Sequence, residues 1–257
     1  MTRSHRVNHA AHNRAQIEYF ERAGKHAMQP SFAPYVQRQV DQLIAFAVLK
    51  PGDRVLDVGC GMGRYTFALA DRGLAVEGLD LSQALLERFR AYDNGRYGIP
   101  LHCGDILHPP RELSRTFDAI VGFFTLHHLH DLLGCFQSMH TLTKPGGRIV
   151  FLEPNPLNLL YYVQMLVVPG MSWKGDRGIL NMRQPNVFRA MGSAGLENVS
   201  LHRFGFLPPF VTNRRWGPRL ERGFESLRVW NRFLPFQLFR GDVPPAPAPR
   251  NPSWDAP

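Results

Sequence analysis

The chain has 257 residues, of which 44% are hydrophobic and 20% charged, a composition typical of a globular protein with a buried core. Its net charge of +9 comes mostly from scattered arginines, and it has no dense Lys/Arg tract of the kind that binds nucleic acid. Three cysteines without a CxxC pair argue against a disulfide framework and a cysteine zinc site. No apolar signal segment is visible at the start, so we expect a reducing, cytoplasmic location.

The N-terminal part is predicted to form an arm and a lid helix, residues 1–34. Residues 1–14 are polar and rich in His and Arg, and residues 15–24 are compatible with a short helix. Apolar residues then recur at helical spacing in 35–49, and a Pro-Gly pair forces a turn. The main domain is therefore expected to begin at residue 35.

Strand and helix patterns alternate in the next hundred residues. In chain order the predicted elements are strand 54–59, helix 63–73, strand 74–80, a helix capped by Ser82, strand 99–105, strand 117–124, helix 130–142, a turn at 144–147 and strand 148–154. A helix at 184–195 and strands at 197–206 and 236–241 follow. This spacing predicts an α/β fold with a doubly wound, mostly parallel, seven-stranded Rossmann-like sheet.

Three segments interrupt or follow this alternation. Residues 155–183 begin apolar and aromatic and become loop-like, which predicts a helical cap inserted into the domain 35–241. Residues 214–234 form a basic amphipathic stretch; we expect its apolar residues to pack on the core, with weak contact to an anionic membrane or a carrier protein as the second possibility. The Pro-rich tail 242–257 is expected to be disordered.

The sequence VLDVGCGMG joins the first predicted strand to a helix through three glycines. Gly59, Gly61 and Gly63 permit positive φ and the close approach of a ligand to a helix N-terminus. Dinucleotides and S-adenosylmethionine are both bound by turns of this kind, and the glycines alone do not distinguish between them. Asp57 immediately precedes the glycines, so it disfavours a pyrophosphate and suits a cationic ligand.

Acidic residues also end the next two predicted strands. Asp80 can accept hydrogen bonds from two ribose hydroxyls, and Asp105, after Gly104, can accept one from an adenine amino group. Because the carboxyl ends of parallel strands lie at one edge of a sheet, we expect these acids to converge in one crevice. S-adenosylmethionine, with its sulfonium and amino groups, fits such a crevice better than a doubly phosphorylated ligand.

Five motifs within about residues 35–153 resemble those of the class I S-adenosylmethionine-dependent methyltransferases. They are VLDVGCGMG, EGLDLS, CGDI, FDAIVGFFTLHHLHD and LTKPGG, in the family's order. The resemblance implies that S-adenosyl-L-methionine is the cofactor and that its methionine part lies in the loop Asp57–Gly63, which includes Cys60. It also implies the remaining contacts, which are Asp80 to the ribose, Leu81 to the adenine face, Asp105 and Ile106 to the base, Gly122 and Phe123 to the amino group, and Tyr19 and Tyr35 as closing side chains.

His127, His128 and Glu153 are the candidate catalytic residues. Imidazole titrates near neutral pH, so either histidine suits a general base, and simple packing at a helix start is an equal alternative. Glu153 ends the fifth strand and is expected to face the cap, where it would orient or deprotonate an acceptor, or cap the next segment. No metal site is expected, because adjacent histidines rarely point the same way.

We therefore predict an S-adenosylmethionine-dependent methyltransferase that acts on a small apolar or aromatic acceptor, such as a specialised metabolite, a quinone or a lipid-like molecule. A noncatalytic protein that keeps the cofactor fold is the first alternative. A nucleic-acid methyltransferase is the second, and it is disfavoured because GFFT stands where such enzymes carry an NPPY-like tetrapeptide. The sequence leaves the acceptor and the oligomeric state open.

Overall fold

A computed structural model describes residues 9–23, 28–113, 116–159, 161–163, 177–225 and 228–247. Within these ranges the helices are α1 (His9–Ala23), α2 (Pro34–Ala47), α3 (Thr66–Ala70), α4 (Gln83–Asp93), α5 (Leu132–Leu142), α6 (Gln184–Ser193), α7 (Pro209–Thr212) and α8 (Gly217–Glu225). The strands are β1 (Arg54–Val58), β2 (Ala75–Asp80), β3 (Leu101–Cys103), β4 (Phe117–Phe123), β5 (Thr143–Pro154), β6 (Glu197–Phe204) and β7 (Phe236–Asp242). Short 3-10 turns cover Leu126–His128, Arg177–Asn181 and Arg228–Phe233.

The strands form one seven-stranded sheet in the order β3-β2-β1-β4-β5-β7-β6. The pairs within β1 to β5 are parallel, whereas β7 runs antiparallel to both of its neighbours, β5 and β6. The strand order reverses between β1 and β4, so a crevice is expected beyond the carboxyl ends of these two strands. The predicted doubly wound, mostly parallel sheet is confirmed.

Helices cover the sheet on both faces. On one face, Phe136 of α5 and Met191 of α6 pack in the same cluster as Phe151 of β5. On the other face, Leu43 of α2 packs with Val55 of β1 and with residues of α3. Because both faces are covered, the central strands are apolar on both sides and show no polar alternation.

Local signals account for several helix ends. Ser82 Oγ accepts a hydrogen bond from the backbone N–H of Leu85 (3.1 Å), which is the predicted cap of α4. Asp131 Oδ1 accepts from the N–H of Gly134 (3.0 Å) and begins α5. These bonds join residues three apart, so the sequence alone was sufficient to predict such a cap.

Some predicted bounds are wrong in the N-terminal half. The helix predicted at 15–24 begins at His9. The helix predicted at 63–73 is limited to Thr66–Ala70, because Gly63 takes a φ of +89° that an α-helix does not allow.

Other predicted bounds are wrong in the C-terminal half. Strand β5 begins at Thr143, five residues earlier than predicted, and its pairing with β4 shifts register across the predicted turn. At the other end, β7 continues to Asp242, and Val243 is 1% exposed. The strand and its packing therefore extend one to two residues past the predicted end of β7.

The stretch 214–234 is not one helix, since α8 and a 3-10 turn lie on either side of residues outside the described ranges. Trp216 is 56% exposed and Leu220 is 42% exposed, so the expectation that they pack on the core is wrong. The buried side of α8 is formed instead by Gly217 and Glu221. A Cβ at Gly217 would overlap the carbonyl oxygen of Val211, so α8 approaches α7 with its backbone.

Only part of the predicted cap 155–183 lies within the described residues. Its first residues are tied to the segment before β7: Asn155 Nδ2 donates to Leu234 O (2.8 Å), and Asn158 Nδ2 donates to Phe233 O (2.7 Å). Residues 160 and 164–176, which include Met165 and Trp173 of this apolar and aromatic segment, lie outside the described ranges. Among the helices described, none has both the length and the apolar character needed to cross a bilayer.

Candidate active site

A cavity of about 840 Å³ lies at the carboxyl ends of the central strands. Its walls come from the glycine loop after β1, from the loops after β2, β3 and β4, from α1, and from residues 206–210. One part of the wall is polar and acidic, and the part formed by 206–210 is aromatic and prolyl. A cavity of this size and composition can hold a cofactor and an acceptor side by side.

The glycine loop lets a ligand approach the backbone closely. Gly59, Gly61 and Gly63 have φ values of +76°, +53° and +89°. The N–H groups of Gly59 and Cys60 donate to Leu79 O (2.7 and 3.2 Å), and that of Gly61 donates to a side chain of the next strand. Because these N–H groups already have partners, the loop contributes to ligand binding through its shape, which lets a ligand approach the backbone closely, more than through free amide donors. Burial also raises the pKa of the Cys60 thiol, which keeps it protonated and unreactive.

Asp80 is held rigidly on the cavity wall. Its Oδ2 accepts a hydrogen bond from the N–H of Gly61 (2.8 Å), and its Oδ1 accepts one from the N–H of Ser82 (2.9 Å). Burial raises the pKa of this carboxyl, and the backbone N–H donors oppose that shift. Each oxygen keeps a further lone pair, so Asp80 can accept two more hydrogen bonds, as vicinal hydroxyls would supply.

Asp57 lies behind the glycine loop and does not line the cavity. It is 2% exposed, and its Oδ2 accepts a hydrogen bond from Thr66 Oγ1 (2.6 Å) at the start of α3. Burial raises the pKa of Asp57 to about 7, and the nearby charge of Asp80 adds to the rise. Asp57 thus fastens the helix to the strand beneath the loop, and its direct contact with a cationic ligand stays a prediction.

Two predicted cofactor-binding glycines also lie behind the wall. Gly63 and Gly122 do not line the cavity. A Cβ on Gly63 would come within 2.7 Å of the Phe67 ring, and one on Gly122 would overlap the ring of Phe151. Both positions therefore require glycine for packing inside the protein. The other predicted residues of these loops line the cavity; they are Gly59, Cys60, Gly61, Leu81, Gly104, Asp105, Ile106 and Phe123.

Helix α1 covers the end of the cavity at β3. Asn13 Nδ2 donates to Asp105 Oδ2 (2.6 Å), while Asp105 Oδ1 accepts from the N–H of Leu107 (2.9 Å). Ser82 Oγ also donates to Glu21 Oε1 (2.7 Å), which gives α1 a second attachment. The carboxylate assigned to the adenine thus also anchors a helix from the start of the chain.

The two tyrosines expected to close over the cofactor differ in position. Tyr35 lines the cavity, and burial raises the pKa of its hydroxyl. Tyr19 does not line it; its ring packs against Phe20 (5.2 Å between centroids), which does. The side of α1 that faces the cavity thus carries Phe20 and not the tyrosine beside it.

Sequence reasoning missed an aromatic wall at the centre of the cavity. The Tyr65 ring stacks on Phe123 with centroids 4.3 Å apart and planes 3° apart, and its hydroxyl donates to Gln39 Oε1 (2.8 Å). Burial raises the pKa of Tyr65 to about 12, so it stays protonated at neutral pH. Phe236, from the first position of β7, lines the same cavity. Phe123 was predicted from its motif, but its pairing with Tyr65 and Phe236 was not, because the three residues come from separate segments.

A buried histidine–glutamate pair lies beside this wall. Glu153 is fully buried and accepts hydrogen bonds from the N–H of Thr125 (2.9 Å), the N–H of Leu126 (2.6 Å) and His127 Nδ1 (2.6 Å). Glu153 does not line the cavity, so the expectation that it faces an acceptor is wrong. His127 does line the cavity, and because Nδ1 donates to the carboxylate, its basic lone pair lies on Nε2. Glu153 is therefore a positioning residue for His127.

His128 also lines the cavity, and its ring centroid is 3.9 Å from that of His127. The two rings pack together, contrary to the expectation that they point apart. Within the described ranges, no group of three histidine, cysteine, aspartate or glutamate side chains is arranged to hold a metal ion.

The residues present fit S-adenosylmethionine. Asp80 offers a buried carboxylate to two hydroxyls, Leu81 and Ile106 give apolar surfaces suited to a flat base, and the glycine loop admits a ligand with no Cβ in its way. The aromatic wall of Tyr65 and Phe123 suits the cationic sulfonium end. These features all line one cavity.

Comparison with known proteins identifies the family. A family model for the methyltransferase domain matches residues 32–201. The ubiquinone biosynthesis O-methyltransferase of Idiomarina loihiensis is 30% identical over 189 residues, which cover 71% of this chain and 74% of that protein. The demethylmenaquinone methyltransferase of Bacillus cytotoxicus is 28% identical over 182 residues, which cover 62% of this chain and 76% of that one.

Structural comparison gives the same fold at lower sequence identity. Phosphoethanolamine N-methyltransferase 2 of Haemonchus contortus, solved with S-adenosyl-L-methionine, superposes with a TM-score of 0.60 at 17% identity. The superposition covers 89% of this chain and 56% of that one. The matched domain, the relatives and the shared fold together show that the chain belongs to the class I S-adenosylmethionine-dependent methyltransferases and is a methyltransferase of small molecules.

Proposed function

We propose that the enzyme methylates a hydroxyl oxygen of a reduced quinone or a related phenol that carries an apolar substituent. The observation that carries this proposal is the His127–Glu153 pair, which lies beside an aromatic cavity. A positioned base is needed only when the acceptor atom must lose a proton, as a phenolic oxygen must.

S-adenosylmethionine supplies an electrophilic methyl group on a sulfonium. A phenol has a pKa near 10, so its oxygen is a good nucleophile only as its proton leaves. His127 Nε2 takes that proton, and Glu153, already bonded to Nδ1, stabilises the imidazolium that forms. The aromatic wall excludes water and aligns the ring of the acceptor, which supports in-line transfer.

The part of the cavity wall formed by residues 206–210 favours an acceptor with an apolar substituent. Phe206, Leu207, Pro208, Pro209 and Phe210 line it from the segment after β6. A charged or strongly polar acceptor would lose its hydration there without gaining partners. The relatives named for ubiquinone biosynthesis and for demethylmenaquinone support an acceptor of the quinone type.

The test is an acceptor screen read out as S-adenosylhomocysteine released. Reduced quinones and catechols are compared with and without an isoprenyl tail, and mass spectrometry distinguishes methylation at oxygen from methylation at carbon. We expect O-methylation, with kcat/KM at least about tenfold higher for tailed acceptors. The variant His127→Gln should lose turnover and retain cofactor affinity. Methylation of amines or carbons without any phenol turnover would contradict the proposal.

A cytoplasmic location is part of the same proposal. The three cysteines are unpaired; Cys60 and Cys135 are buried, and Cys103 is exposed. A free exposed thiol is typical of a reducing compartment. Fractionation of cells that produce the tagged full-length chain tests this, and recovery in an oxidising compartment would contradict it.

A further inference from the structure

The surface beside the cavity mouth is both apolar and basic. Its apolar members are Phe210, Trp216, Leu220 and Phe233, which are 74%, 56%, 42% and 49% exposed. Exposed arginines are interspersed with them in the sequence; they are Arg214, Arg215, Arg219 and Arg232. We call these eight residues the aromatic–arginine surface.

Acidic residues of the same segment point away from this surface. Glu221 is 2% exposed and accepts hydrogen bonds from the N–H groups of Phe206 (2.7 Å) and Leu207 (2.8 Å). Glu225 accepts one from the N–H of Gly205 (2.5 Å) and pairs with Arg38. These carboxylates attach α8 to the loop after β6, so the charge that α8 presents outward is positive.

The apolar members lead to the cavity. Trp216, directly before α8, is followed by Leu220 and Phe224 at a spacing of four, and Leu220 N donates to Trp216 O, so the three lie on one side of the helix. The Phe224 ring stacks on Phe206, with centroids 4.7 Å apart and planes 4° apart, and Phe206 lines the cavity. Phe210 is both exposed and part of the cavity wall. The aromatic–arginine surface is therefore continuous with the mouth of the active site.

We propose that the aromatic–arginine surface docks on a bilayer of anionic phospholipid. A bilayer interface offers acyl chains to Phe210, Trp216 and Leu220 and phosphates to the arginines between them, which is the environment this mixture requires. An acidic carrier protein would match the charges but would leave four large apolar side chains in need of a shaped pocket. This membrane binding does not depend on which acceptor is methylated. The entry of a lipid-like acceptor from the bilayer into the cavity would follow from it, and only that entry rests on the proposed function.

The test measures co-sedimentation of the full-length protein with vesicles. Vesicles of phosphatidylcholine alone are compared with vesicles that contain about 30% phosphatidylglycerol. We expect binding to the anionic vesicles that weakens at least about tenfold when NaCl rises from about 0.1 M to about 0.5 M. Two variants test the two halves of the surface: Arg215→Glu/Arg219→Glu for charge, and Trp216→Ser/Leu220→Ser for apolar insertion, with both pairs outside the cavity wall.

Each variant should lower vesicle binding about tenfold or more. The matched control Arg88→Glu/Arg189→Glu makes the same change in net charge with exposed arginines of α4 and α6, and should retain most of the binding. Affinity for S-adenosylhomocysteine, which should stay unchanged in all three, confirms folding. The proposal is overturned if anionic vesicles do not bind, if the control loses as much binding as the arginine variant, or if an acidic protein binds the surface and vesicles do not. Since the assay needs no methyl transfer, these outcomes leave the proposed function untouched.

Discussion

Replacement of Glu153 by glutamine separates a positioning role from a structural one. Glu153 accepts three hydrogen bonds, from Thr125 N, Leu126 N and His127 Nδ1. In Glu153→Gln the amide oxygen can still accept from the backbone, but the amide NH₂ faces the imidazole. His127 then accepts at Nδ1 and carries its proton on Nε2, so it cannot take a proton from the acceptor.

The expected loss in kcat follows from these contacts. A positioned general base contributes about 10²- to 10⁴-fold, so we expect kcat to fall about 10²- to 10³-fold in Glu153→Gln. KM and the affinity for S-adenosylhomocysteine should change less than about threefold, because Glu153 does not line the cavity. Steady-state kinetics and calorimetry provide these values. Since both residues act through one proton transfer, His127→Gln/Glu153→Gln should be no slower than His127→Gln alone.

A matched control is available in β2. Glu77 is 8% exposed and contacts a histidine as Glu153 does, His102 Nε2 at 2.8 Å, but this pair does not line the active-site cavity. The variant Glu77→Gln should leave kcat within about twofold of wild type. The reasoning is refuted if Glu153→Gln retains normal kcat, if the two single losses add in the double variant, or if cofactor affinity falls together with kcat.

Three further predictions concern the cofactor end of the site. Asp80→Ala removes a buried acceptor of two ribose hydroxyls, so calorimetry should show S-adenosylhomocysteine bound at least about 30-fold more weakly, and unchanged affinity would exclude Asp80 from the site. Folding raises the pKa of Asp57 from 3.8 to about 7, so the unfolded chain loses this proton at a lower pH than the folded protein does. The free energy of unfolding should therefore fall by at most about 4 kcal/mol as the pH rises from about 4 to about 7. Urea unfolding of Asp57→Asn should lack this part of the slope, and equal slopes in both proteins would contradict the assignment. Asn13→Ala releases α1 from Asp105, so proteolysis within α1 should become faster in the absence of cofactor, and protection equal to wild type would show that this bond does not hold the helix.

The local sequence was sufficient for the fold and for much of the cofactor site. Short apolar runs bounded by turn residues indicated the strands, and the glycine turn with Asp80 and Asp105 could be placed at one edge because parallel strands share a direction. The cap at Ser82 joins residues three apart, so no tertiary information was needed. Such features depend on chain periodicity and on bonds within one turn.

Tertiary structure decided which side chains reach the ligand. Asp57 and Glu153 also lie near strand ends, yet both are buried, because Thr66 bonds to Asp57 and the backbone after β4 bonds to Glu153. Only the packed structure brings these segments together. The bond from Asn13 to Asp105 joins residues 92 apart, and no periodicity predicts it. The orientation of α8 also depends on tertiary structure. The amphipathic pattern predicts one apolar and one polar side, but the helix packs through Gly217 and Glu221, so the side with Trp216 and Leu220 faces outward.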